Sequence, residues 1–309
     1  MKKWILLALA LSFAVSPEAA AEVKQNSINL SPFATLKVGG PFSVSLVRGS
    51  DYRALITVEE AYMDYVVCQV SSRELTIDLD ERRVPLDVKR QFRGKGTPDP
   101  VFSVILYVPE LIQAVSMTDK SQLVDTEDVF DKDRVVFSIE DAASVKLLEL
   151  SSQMVSVSMQ NKSTADFKVN CKMLDAKTAN SSQLTIEEVS EDASYSLQGS
   201  SKIIAKNNGS KVNVNTKSNS YMTLVGSGEC ATYNMTGTSE VNAVDYEVPD
   251  AVITMTSVCK LSQAAYKTLK LNLNGGSTLL FDNDPAVSIE NIKSSTISRL
   301  SKSRNGTRL

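Results

Sequence analysis

The chain contains no histidine at all. That absence removes every Ser-His and Cys-His nucleophile pair and every His-ligated zinc site. Charge of one sign is not in excess either. With 33 basic against 36 acidic residues and a net charge of −3, nothing suggests a nucleic-acid partner. After the first residues, no segment reaches the roughly 18 consecutive apolar residues that a membrane-spanning helix needs. Helical spacing of apolar residues is missing as well, so an α-helical or α/β body has no support. The 42% hydrophobic and 22% charged residues fit an ordinary folded chain, and their order carries the information.

Over residues 113 to 299 one short pattern recurs about ten times. Each copy aligns on a small residue: Ser121, Ala143, Ser163, Ser182, Ser201, Ser220, Ser239, Cys259, Ser277 and Ser295, spaced 18 to 22 apart and most often 19. Six positions earlier stand Val115, Phe137, Val157, Ala176, Tyr195, Val214, Tyr233, Ile253, Leu271 and Ile289, a column without charge. The columns four before the anchor (Met117 through Leu273 to Asn291) and two after it (Leu123 through Leu279 to Ile297) are almost as apolar. Alternation with period two within each copy means strands. Two before the anchor come Asp119, Asp141, Asn161, Asn180, Gly199, Ser218, Gly237, Ser257, Gly275 and Lys293. All but the last tolerate a left-handed backbone or bond their own turn, so a bend separates two strands in every copy.

A period near 19 with two short strands and a bend suits one coil of a right-handed parallel β-helix, in which like residues stack about 4.8 Å apart. Leucine-rich repeats have a similar period, but their L-x-x-L-x-L-x-x-N signature is absent. A β-sandwich needs no fixed register over ten copies. One coil alone buries too little to offset the entropy of ordering it, so the copies must stack and the ends need caps.

The regions flanking the repeats divide the chain further. Residues 1–21 read as a signal peptide, with Lys2 and Lys3, an apolar run from Trp4 to Val15 and Ala19-Ala20-Ala21 at the cleavage site, which implies an exported protein of the periplasm or cell surface. Residues 22–108 read as an N-terminal β cap of antiparallel strands joined by hairpins, including 42–46, 54–58 and 75–79, covering the first coil. The repeats occupy 109–300, and 301–309 form a basic, flexible tail. Within the cap, Arg82, Arg83, Lys89, Arg90, Arg93 and Lys95 make a basic loop against Glu81 and Asp87. It suits an anionic glycan or lipid headgroup, or it is a solvated loop. Cys171, Cys230 and Cys259 lie in different coils at offsets that do not favour bridging, which reads as small buried thiols.

The order Phe33-x-x-Leu36-x-Val38-x-Gly40, Phe42-x-Val44-x-Leu46, Leu75-x-Ile77 and Val108-Pro109-x-Leu111, followed by serine-anchored repeats, resembles the putative auto-transporter adhesin, head GIN domain family of Bacteroidetes-type envelopes. The match runs over about residues 33 to 295. The resemblance implies a β-helical fold and an envelope or adhesion-like role, and it brings no catalytic residues. The sequence has no C-terminal membrane barrel, so self-transport is not supported.

Two functions remain open on these residues. The first is a non-enzymatic envelope or surface binding protein, adhesin-like, that needs no cofactor or metal. It would present a flat outward face of Thr232, Asn234, Thr254, Thr256, Asn213 and Asn215, with neighbours such as Ser156, Ser158 and Lys177, to a glycan or an envelope protein through hydroxyl and amide contacts. The second is a polysaccharide lyase or hydrolase on the same scaffold. A histidine-based hydrolase is excluded, and a lyase would need Asp ligands for calcium, for which Asp119, Asp141 and Asp175 are the candidates. Glu187-Glu188 and Glu191-Asp192 read as an exposed bend.

Overall fold

The structure is a computed structural model, and it describes residues 22–93 and 98–300. The segment 1–21 read as a signal peptide, Lys95 and the tail from 301 lie outside the described residues. The body is a β-solenoid of about ten coils, and its strands pair in parallel from coil to coil. Val115, Phe137, Val157, Ala176, Tyr195, Val214, Tyr233, Ile253, Leu271 and Ile289 lie opposite one another in succession, as the repeat alignment requires. A second stack carries Leu123, Val145, Ala165, Leu184, Ile203, Met222, Val241, Leu261, Leu279 and Ile297 in the same manner. From Gln183 onward several coils merge the second strand with the next coil's first, as in Gln183–Leu197 and Lys202–Thr216.

The bend column is left-handed throughout most of its length. Asp119, Asp141, Asn161, Asn180, Ser218 and Ser257 have φ between 59° and 79°, and Gly199, Gly237 and Gly275 join them. At Gly237 a side chain has no room: a Cβ would stand 2.7 Å from the Ser218 nitrogen in the coil before. The anchor hydroxyls close this bend. Ser121, Ser163, Ser182, Ser239 and Ser277 each donate to the carbonyl three residues back, at 2.8 to 3.2 Å, and the Cys259 thiol does so at 3.3 Å. A small buried donor is what the corner needs, because its carbonyl has no strand partner.

The alignment fails by one residue in the last coil. Ile292 lies opposite Leu273 where Asn291 was expected, and Ser294, φ 52°, takes the left-handed position expected of Lys293. A register shift between Leu271 and Asn272 absorbs the extra residue.

The cap contains β1 (Val23–Asn29), β2 (Thr35–Val38), β3 (Ser43–Arg48), β4 (Arg53–Glu59), α1 (Glu60–Met63), β5 (Val66–Ser71), β6 (Glu74–Leu79), α2 (Leu86–Gln91) and β7 (Phe102–Val108). Antiparallel pairing is present as expected, β5 with β6 and β4 with both β1 and β7. The hairpin between 42–46 and 54–58 does not form, because β7 lies between them. β2 and β3 instead stack in parallel on Ala114–Met117 and Gln122–Thr126, and β6 and β7 stack on β2 and β3. The coil pattern therefore runs two rungs into the cap. In these rungs Phe42 and Phe102 hold the anchor place, rings 5.4 Å apart and edge to face, where serine stands later.

Candidate functional site

Because alternate residues of a strand face opposite sides, burying Val214, Tyr233 and Ile253 turns Asn213, Asn215, Thr232, Asn234, Thr254 and Thr256 outward, and all six are exposed or half-buried. The register brings them together as neighbours. Asn213 lies opposite Thr232, Asn215 opposite Asn234, and Asn234 opposite Thr254, with Thr256 beside Thr236. The Asn234 amide donates to the Asn215 side-chain oxygen at 3.2 Å, and Asn291 donates to Asn272 at 3.3 Å. Each amide in such a row keeps further donor or acceptor capacity for a partner. Val252, in the same column as Thr232, is 43% exposed and interrupts the polar run.

Two depressions lie along this face. One of about 590 Å³ is lined by Arg134, Met173, Asp175, Asp192 and Asn213, and one of about 390 Å³ by Ser158, Lys177, Ser196, Asn215 and Lys217. The first reaches Asn213 and the second reaches Asn215, at the start of the Asn215–Asn234 row. The Lys177 ammonium is held by Asp175 at 2.6 Å.

The calcium-type aspartates do not assemble. Asp119 accepts from the Gly40 amide at 3.0 Å, Asp141 accepts from the Asn161 amide at 2.9 Å, and Asp175 holds Lys177. Among the described residues no three Asp, Glu or Cys side chains are grouped to hold a metal ion. All four cysteines are free: Cys171 and Cys259 are buried, while Cys68 and Cys230 are half-buried. Desolvation raises the Cys68 thiol to about 11 and the Cys171 thiol to about 12, so neither is a ready nucleophile.

The expected exposed bend at 187–192 is corrected by the structure. Gln183–Leu197 is one continuous strand, in which Glu187 faces out and pairs with Lys206 at 2.8 Å while Glu188 faces in and is 1% exposed. Its Oε1 accepts from the Tyr195 hydroxyl and the Asn207 amide, and Tyr246 donates to Asn207 at 2.8 Å. The Tyr233 hydroxyl donates to Gln263, which in turn donates to the Tyr246 carbonyl at 3.0 Å. Burial first, opposed by the bonds from Tyr195, Asn207 and Ser190, raises the Glu188 carboxyl above its ordinary range. The strict alternation Leu184, Ile186, Glu188, Ser190 was the available signal.

The basic loop is the corner between β6 and β7. Arg82 and Arg83 are exposed at its start, and Lys89 and Arg90 sit on α2 with Arg93 just beyond. Lys89 and Arg93, but not the others, line a cleft together with Lys120, which belongs to the first repeat bend.

The sequence profile described as putative auto-transporter adhesin, head GIN domain matches residues 32–194 and 161–285. Among solved structures, the chain is similar to a "putative lipid binding protein" from Parabacteroides distasonis, at 17% identity and a TM-score of 0.50, over 90% of this chain and 97% of that one. Similar too are a "putative adhesin" from Parabacteroides merdae, at 16% identity, TM-score 0.49 and coverage of 91% and 97%, and one from Parabacteroides distasonis, at 15% identity, TM-score 0.49 and coverage of 90% and 97%. No curated protein matches. Among the described residues no helix is long and apolar enough to cross a membrane.

Proposed function

This chain belongs to the putative auto-transporter adhesin, head GIN domain family, and from that premise we propose that it is an exported binding protein of the cell envelope or surface. Its contact face is the outward sheet of Asn213, Asn215, Thr232, Asn234, Thr254 and Thr256, and its partner is a glycan or an envelope protein. The observation that carries this reading is that these six polar side chains stand in register on adjacent strands of one outward sheet, with depressions opening beside Asn213 and Asn215. Many weak hydroxyl and amide contacts across several coils suit an extended partner, and the solenoid holds them rigidly at strand spacing.

Replacing Thr232, Asn234, Thr254 and Thr256 together by Lys tests it. The outward positions do not carry the core, so circular dichroism and melting should be preserved. Glycan-array signal and capture of the envelope partner should fall by about tenfold or more, as solvated ammonium groups hold the partner off the sheet. Unchanged binding by a folded quadruple variant overturns the assignment of this face.

A further inference from the structure

The corner between β6 and β7 spans residues 80–101, while the next rung makes the same corner with Gly39 to Phe42. Phe92, just past α2 in this corner, ends a row of rings that leads from the core to the surface. Phe42 meets Phe102 at 5.4 Å, Phe102 meets Tyr62 at 5.1 Å, and Tyr62 meets Phe92 at 5.5 Å. Beside the row opens a cleft of about 500 Å³, a size typical of small-ligand sites. Lys89, Arg93 and Lys120 stand on it with Glu81 and Asp99.

Several cations of the solenoid wall are neutralised by carboxylates. There Lys168 pairs with Glu149, Lys206 with Glu187, Lys177 with Asp175 and Lys260 with Glu240, at 2.6 to 3.0 Å. Among the described residues no ion pair involves Lys89, Arg93 or Lys120, and the Lys89 ammonium donates to the Glu81 backbone carbonyl at 2.6 Å. Cations without carboxylate partners, set against aromatic walls, suit an anionic group on a ring with an apolar face. The carboxylates of Glu81 and Asp99 are acceptors, which a bare anion cannot use and sugar hydroxyls can.

We propose that this cleft binds an acidic saccharide, its carboxylate or phosphate held by Lys89, Arg93 and Lys120 and its ring laid against Phe92 and Tyr62. The site is separate from the outward sheet, and the two fail independently. Calorimetric titration of the whole mature chain with oligogalacturonate, glucose 6-phosphate and a neutral oligosaccharide tests it. Saturable binding of at least one acidic probe, and of no neutral one, is expected, and the two acidic probes separate a uronate source from a phosphorylated one. Arg93→Ala with Lys120→Ala, both at exposed positions, should weaken that binding at least about tenfold, and Phe92→Ala should weaken it at constant charge. The quadruple sheet variant should bind these probes unchanged. Binding of the neutral probe as tightly as the acidic ones, no saturation with either acidic probe, or unchanged affinity in the folded double variant would each overturn the proposal.

Discussion

Leu36 and Leu75, in the two rungs nearest the amino terminus, are fully buried, while Ile289, in the same inward column at the other end, is 50% exposed. All three are aliphatic residues at equivalent strand positions. The difference lies in the elements that cover them along the axis. Beyond β6 and β7 the antiparallel strands β5, β4 and β1 continue the sheets and close the edge, with Tyr62 and Val84 completing the cover. At the other end Ala286–Lys293 is exposed at every position among the described residues. Burial in a solenoid is thus supplied by the neighbouring rung, and an end rung is buried only when another element covers it.

The comparison breaks most sharply if a charge is put into each kind of rung. Val157→Asp places a carboxylate between Phe137 and Ala176, at a position with no exposure. The variant should lose about 4 kcal/mol or more, or fail to fold, because an unpaired buried carboxylate must be desolvated or hold its proton. The same change at Ile289 should cost less than about 1 kcal/mol, since water already reaches that site. Urea midpoints measure both, and equal losses would contradict the rung-by-rung account of burial.

Phe102→Ala examines the closed end. Phe102 touches both Phe42 and Tyr62, so a loss of about 3 kcal/mol is expected in thermal or urea unfolding. A loss near zero would mean that the aromatic anchors do not hold the cap to the stack.

Midway between the ends, the interior is polar, and pH sharpens the contrast there. Glu188 has its carboxyl raised above the ordinary value of 4.5. The folded state then binds this proton more tightly than the unfolded state, so the contribution of Glu188 to stability is greatest below about 4.5 and falls as pH rises toward the raised folded value. Glu188→Gln keeps the acceptor for Tyr195 and Asn207 without the charge. It should remove this component of the fall and gain over the parent protein as pH rises, read as the difference in melting temperature across a pH series. A parallel pair of curves would show that Glu188 does not titrate in that window.

The smallest effect is expected at Ser158→Asp, one residue from Val157 and on the outer surface. It should stay within about 0.5 kcal/mol. Destabilisation comparable to Val157→Asp would reverse the assignment of inward and outward columns.

Much of this was legible because a solenoid repeats its requirements. The bend asks for the same backbone in every coil, so Asp, Asn, Gly and Ser recur there, and the anchor asks for a small donor, so serine recurs. Where a requirement was met once, reading failed. Glu188 carries an exposed-looking identity at an inward position, made tolerable by Tyr195 and Asn207 from the same and the next coil. Phe42 and Phe102 broke the serine rule and hid two rungs inside the cap, and the gap from β6 to β7 concealed that they belong to one coil. The one-residue bulge near Asn291 left only a faint mark, a lysine in the bend column and an asparagine in an apolar one, both removed when the register moves on by one residue.

The sequence by itself determined the period, the inward and outward columns, the bend and the outward polar face, because each depends on alternation along one strand and on local backbone preference. Tertiary structure decided which strands neighbour one another in the cap, how the two ends differ in cover, how Glu188 is solvated, and that Lys120 lines one cleft with Lys89 and Arg93 at the β6–β7 corner. These depend on contacts between residues far apart in the chain, whose energies come from desolvation and packing and leave no periodic trace in the order of residues.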